Sequence, residues 1–302
     1  MTVFECTQSR PRFGIKGTKK MKRIYIVFAL LFACSAMHAD TAVIDGVEWT
    51  YIRQLREGLS VGDITIYPNR IEGSTAVPKS TAGEIQVPAA IDGCPVLSVG
   101  MGAFFECKKL TSITIPKGVT NVMGWAFMRC TGLKSLSVPD GVKFIGRAAF
   151  LECKSLTDVT IPEGVPAIDH DTFMSCSSLK SVKIPESVTW IGAYAFGKCG
   201  SLAKVAIPSS VKIIGDGAFS ECGSLVKVVM PASVEYIGYG AFRDCGSLKG
   251  VKFKGDAPKL GKNVFKSVSP AFKVYLPAGN ATYKVVDGKW HGAKVKYYDR
   301  EQ

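Results

Sequence analysis

The chain has 302 residues, 47% of them hydrophobic and 21% charged, with a formal net charge of +13. That apolar share excludes a chain too polar to fold and is ample for a core. Residues 1–39 hold seven Lys or Arg against one Glu, residues 40–245 balance at −1, and residues 246–302 hold twelve basic against four acidic side chains. A uniformly basic body is therefore excluded, and the positive charge belongs to the two ends.

Taken in order, Lys19, Lys20, Lys22 and Arg23 precede an apolar run at residues 24–33, followed by small residues. This is the order of a secretory leader, and the run is short for a membrane span. Cleavage after Ala39 is expected, with Met21 as the start. Leu31-Phe32-Ala33-Cys34 also resembles a lipobox, which would make Cys34 a lipidated N-terminus; an uncut signal anchor is the third alternative. Residues 40–95 read as an N-terminal β cap. Residues 47–52 and 64–67 are rich in strand formers, and residues 84–87 form an imperfect first strand ahead of a long loop. An open repeat array exposes apolar side chains and strand edges, so an atypical unit is expected there.

From residue 96 to 277 one unit recurs every 23 residues: Phe104, Phe127, Phe150, Phe173, Phe196, Phe219, Phe242 and Phe265. Cysteine follows three residues later at Cys107, Cys130, Cys153, Cys176, Cys199, Cys222 and Cys245, with Val268 in the eighth copy. Proline holds the same register at Pro116, Pro139, Pro162, Pro185, Pro208, Pro231 and Pro277, with Lys254 intervening. Such a period signals stacked coils, each too small to bury its own apolar side. Within a copy, Val228 and Met230 face one side of a strand and Val229 the other. Pro231 ends that strand. Gly238 suits the positive φ of a turn, and Ala241, Phe242 and Cys245 have the spacing of a helical turn on the return side. Residues 278–302, with Tyr283, Trp290, Tyr297 and Tyr298, form a basic C-terminal cap expected to fold over the last coil.

The pattern V-x-x-I-G-x-x-A-F-x-x-C-x-S-L-x-x-V-x-I-P resembles the BspA-like leucine-rich repeat family of bacterial and protist surface proteins, over roughly residues 83–277. Departures are local: Met123 and Asp169 replace the glycine, and Thr172 replaces the alanine. The fold expected is a capped, right-handed α/β-type solenoid of about eight coils, with one short parallel strand per coil and helical or 3-10 turns opposite. The resemblance implies a surface-exposed, adhesion-type recognition module for an extracellular protein or glycan. The alternative is a structural envelope component whose basic end holds anionic surface polymer.

Chemistry is sparse. No nucleotide-binding, zinc-protease or serine-hydrolase motif occurs, and no cofactor is expected. Asp169-His170-Asp171 joins two carboxylates to an imidazole, but neighbours in sequence diverge in direction, so a polar turn is expected and a metal site is the lesser alternative. The ladder cysteines, 23 residues apart, cannot chelate as a C-x-x-C pair would. They read as buried free thiols filling a small apolar slot, with some disulfide pairing as the alternative. Cys94, outside the ladder, is the thiol expected to pair or react. Between core slots, the early coils show a polar face at Thr111, Ser112, Thr114, Lys134, Ser135, Ser137, Thr157, Asp158 and Thr160. Later coils change to Ala203, Lys204, Ala206, Val226, Lys227 and Val229, with Trp190, Ile213 and Tyr236 one column further on. Those nine residues form the candidate contact patch, with mutual coverage along the stack as the alternative. Lys249, Lys252 and Lys254 are candidate contacts for an anionic polymer. Intracellular nucleic acid is not an expected partner, and membrane contact is expected only through the leader or a lipid on Cys34.

Overall fold

A phenylalanine that recurs at a fixed interval in a stacked chain has only its own copies to pack against. The computed structural model, which describes residues 40–54, 58–61, 63–67, 70–91 and 93–299, shows that packing directly. The rings of Phe104, Phe127, Phe150, Phe173, Phe196, Phe219 and Phe242 form one column, with neighbouring centroids 5.0–5.4 Å apart and planes within 10° of parallel. All seven are fully buried. Their spacing is that of adjacent strands, so one geometry serves both ring stacking and backbone pairing. Phe265 continues the column at 6.0 Å and 20°. Edge-on or tilted rings close its ends: Trp49 meets Phe104 at 84°, and Phe272 meets Phe265 at 37°.

Around this column each coil follows the same course. A buried leucine (Leu110 through Leu248 in register) opens it, and alternation then builds the front sheet. Lys227–Met230, Gly250–Phe253 and Lys273–Pro277 pair in parallel at one-coil register, Val228 beside Val251 beside Val274. Leu110–Thr114, Ser135–Ser137, Asp158–Thr160 and Ser181–Lys183 continue the same face toward the N-terminus. Residues 203–207 bury Val205 and Ile207 in the expected alternation but form no strand.

One strand per coil was expected, and the structure corrects this to two. Beyond the proline corner, a two-residue strand in nearly every coil builds a side sheet. Ala167–Ile168, Trp190–Ile191, Ile213–Ile214, Tyr236–Ile237 and Lys259–Leu260 pair in parallel order. Two residues are too few for alternation to show in a sequence.

The return side also differs, because among the described residues it contains no helix. Two positions in every coil take left-handed backbone angles. One is Gly102, Trp125, Ala148, Asp171, Tyr194, Gly217, Gly240 and Asn263, with φ between +53° and +60°. The other is Glu106, Arg129, Glu152, Ser175, Lys198, Glu221, Asp244 and Ser267, with φ between +56° and +62°. A right-handed helix cannot pass through such residues. Instead the amides bond between coils: Phe127 N–H donates to the Ala149 carbonyl at 2.7 Å and Phe219 N–H to the Ala241 carbonyl at 2.8 Å. Stacking overrides the local preference of tryptophan or alanine for ordinary angles.

The repeat glycine is likewise not a turn residue. Gly192, Gly215 and Gly238 lack positive φ. A Cβ at Gly215 would stand 2.7 Å from the Ala193 nitrogen, and one at Gly238 would stand 2.5 Å from the Asp216 nitrogen. Close approach of the preceding coil is the reason for glycine there.

At the N-terminal end Asp40–Ile44, Val47–Gln54 and Gly58–Val61 form antiparallel pairs, and the last runs parallel to Cys94–Val99. Gly83–Gln86 pairs in parallel with Leu110–Thr114. At the other end, residues 278–299 extend the sheet where a fold-over cover was expected. Ala293–Tyr298 adds a parallel strand beside Lys273–Pro277, and Lys289–Trp290 pairs back against it at the edge. Tyr283 and Trp290 pack edge-on to Phe253 at 6.1 and 5.1 Å. No helix among the described residues is long and apolar enough to cross a membrane. The leader and the Cys34 motif lie outside the described residues.

Candidate functional site

The cysteine slot lies beside the phenylalanine column, and its chemistry is structural. Cys130 Sγ donates to the Phe104 carbonyl at 2.9 Å, and Cys153, Cys176, Cys199, Cys222 and Cys245 repeat the bond at 3.1–3.2 Å. Each thus ties one coil to the one before. All seven ladder thiols are free and buried. Desolvation pushes Cys107, Cys176 and Cys245 up to about 12, and raises the other four as well. Such thiols do not supply a thiolate at neutral pH. Cys94, the expected exception, is disulfide-bonded.

Asp169-His170-Asp171 does not converge. The Asp169 carboxylate accepts from the His170 amide at 2.6 Å and lies 2.9 Å from His170 Nδ1. Asp171 turns away to accept from Arg147 at 2.9 and 3.1 Å. The His170 ring meets Trp190 edge-on at 5.0 Å. Among the described residues no three His, Cys, Asp or Glu side chains are grouped to hold a metal.

The candidate contact patch divides between two sheets. Trp190, Ile213 and Tyr236 are successive register partners on the side sheet, pointing outward while Ile191, Ile214 and Ile237 point in. Ile213 is 41% exposed, its two aromatic neighbours are half-buried, and Phe144, 43% exposed, stands two coils before Trp190 in the same column. Ala203, Lys204, Ala206, Val226, Lys227 and Val229 are exposed on the front face. The proline corner at Pro208 and Pro231 separates the two groups.

Register also exposes residues that a linear reading missed. On the front face Lys227, Gly250, Lys273 and Lys294 form one outward column, and Val229, Lys252, Tyr275 and Lys296 form the next. Lys252 Nζ lies 4.0 Å from the centroid of the Tyr298 ring. Lys249 and Lys254 are exposed beside these columns. Lys273 stands two periods after Lys227, so the repeat could have found it; Lys294 follows 21 residues later, out of step, and only the pairing reveals it. Further N-terminally the same columns carry Ser112, Ser135, Asp158 and Ser181. There the Ser135 hydroxyl donates to Ser112, and hydrogen bonds from Ser181 and Thr157 hold the Asp158 carboxyl below its usual value.

The return face, by contrast, pairs its charges. Arg129 bridges Glu106 and Glu152 at 3.4 Å each, one coil to either side. Burial raises the Glu106 carboxyl, but Lys108, Lys79 and Arg129 outweigh it and hold the group below its usual value.

The BspA type leucine rich repeat region model matches residues 94–199 and 144–271, with six copies. The leucine-rich repeat protein of T. pallidum has a solved structure similar to this one, with a TM-score of 0.54 and 34% identity, covering 62% of this chain and 87% of that one. A leucine-rich repeat protein from Bacteroides ovatus aligns with a TM-score of 0.50 and 24% identity, over 85% of this chain and 76% of that one. Among curated proteins none matches. Matching family model, repeating slots and stacked phenylalanines agree: this chain belongs to the BspA-type leucine-rich repeat family.

Proposed function

We propose that the chain is an exported, surface-displayed recognition module that binds an extracellular protein without catalysing a reaction. The carrying observation is the outward column Trp190, Ile213 and Tyr236 on a sheet whose inner face is already satisfied by the core. Solvent-facing apolar side chains in register along several coils offer a rigid strip, and Trp and Tyr dominate the energetics of protein contacts. Export is supported by the leader-like order of residues 1–39. A scaffold whose thiols are buried and whose one acidic-histidine group diverges has no assembled reaction centre among the described residues.

The test is retention on immobilised extracellular-matrix proteins, comparing the wild type with the triple variant Trp190→Ser, Ile213→Ser, Tyr236→Ser. The triple should lose at least about tenfold in affinity while keeping its melting temperature. Equal retention by the triple refutes the assignment.

A further inference from the structure

The outward columns of the front sheet change character along the stack in a way that packing does not require. Up to Ser181 they carry hydroxyls, Gln86 and two carboxylates, Glu84 and Asp158; from there on they carry Lys183, Lys204, Lys227, Lys252, Lys273, Lys294 and Lys296 and no Asp or Glu. Among the described residues none of these seven lysines forms an ion pair. The lysines that do, Lys79, Lys108, Lys154 and Lys198, all sit with return-side glutamates. Lys273 and Lys294 are direct register partners on neighbouring parallel strands. Like charges directly opposite one another destabilise a sheet.

Protection of the sheet's edge explains lysines on its last strand. It does not explain Lys252 and Lys273, which lie on strands paired on both sides. An unfavourable charge arrangement on the outward side of a paired sheet is what a ligand of opposite charge would relieve.

We infer that this face binds a linear anionic polysaccharide bearing carboxylate or sulfate groups, laid along the stack across the strands. Successive coils stand about 4.8 Å apart, so the lysines form a file with which an extended polymer can keep contact over many units. Among the described residues the face has no arginine; Lys252 Nζ lies 4.0 Å from the Tyr298 ring, and Tyr275 stands in the column between Lys252 and Lys296. Single-stranded nucleic acid is recognised mainly through successive stacking platforms and arginine, and one outward ring between lysines, with no arginine among the described residues, does not make such a track. The site is separate from the Trp190 column, so the two assignments fail independently.

The experiment measures binding of the full chain to heparin and to polygalacturonate across a salt series, with dextran as the uncharged control and a thymidine oligonucleotide as competitor. Wild type should bind both anionic probes, more weakly as salt rises, and should ignore dextran. The triple variant Lys227→Gln, Lys252→Gln, Lys273→Gln should lose at least about tenfold in affinity and show a flatter salt dependence. Its melting temperature should hold or rise, which keeps the loss distinct from unfolding. A control triple, Lys109→Gln, Lys117→Gln, Lys143→Gln, removes the same charge from exposed positions in the early coils and should bind as wild type does. The Trp190, Ile213 and Tyr236 variant should keep its polysaccharide affinity. The inference is overturned if the control triple loses as much, if neither anionic probe binds, or if the oligonucleotide displaces them at lower concentration.

Discussion

The two halves of the front sheet share a backbone path, a buried leucine and a phenylalanine column, yet they show opposite surfaces. In the first half Ser112, Ser135 and Ser181 reach their neighbours through hydrogen bonds, and in the second Lys227, Lys273 and Lys294 have no carboxylate partner among the described residues. The difference teaches that stacking constrains inward slots tightly and outward slots hardly at all. Function can therefore vary along the surface without disturbing the core.

The inward half of that contrast should break first at its centre. Phe173→Ala removes a ring flanked by Phe150 and Phe196, and no neighbouring side chain can move along the column without leaving its own place. A loss of about 3–5 kcal/mol is expected in urea unfolding; a loss under about 1 kcal/mol would show that the rings merely coincide. Gly215→Ala should cost about 1–3 kcal/mol as the new methyl meets the preceding coil's backbone, whereas Gly223→Ala, with open space around it, should be neutral or slightly stabilising. Equal effects at the two glycines would contradict the close-approach account.

The buried thiols sharpen the contrast through pH. Folded Cys107, Cys176 and Cys245 hold their protons to about pH 12, while an unfolded cysteine releases its proton above about pH 8.5. The unfolded state then binds fewer protons, so stability falls as pH rises from there, by up to about 1.4 kcal/mol per pH unit for each thiol. Urea midpoints taken at pH 7.5, 9 and 10 should decline, and Cys176→Ala should decline less steeply. A flat profile would mean that the thiols are solvated. Outward changes should have the smallest effect: Ser135→Lys with Asp158→Lys should shift stability by no more than about 0.5 kcal/mol. The same pair should strengthen heparin retention if the lysine file is the binding element.

Much of the inward architecture was legible in the sequence. The phenylalanine, cysteine and proline registers identify the stack because a core slot admits few residue types. The side sheet was not legible, since Ile213–Ile214 and its neighbours are too short for alternation to show. The left-handed positions were hidden because Trp125, Ala148 and Tyr194 are not residues that favour that angle, and inter-coil bonding imposes it. The repeat glycine drew attention for a valid reason attached to the wrong cause. For the sites, the outward residues could be named but not assigned to faces. Trp190 and Lys227 seemed to share one patch until the proline corner placed them on different sheets. Net charge by segment marked the basic end but concealed Lys204 and Lys227 in the near-neutral segment 40–245, because balancing carboxylates, Glu221 and Asp244 among them, lie on the return side.

The most direct test removes one coil. Deleting residues 174–196, a span of 23, joins Phe173 to Gly197 with every slot still in register. A stack of equivalent coils predicts a folded protein that melts cooperatively at a somewhat lower temperature. Deleting residues 174–195, one residue fewer, puts every later slot out of step and should abolish cooperative unfolding. If the two deletions behave alike, interchangeable coils around a shared phenylalanine column do not hold this protein together.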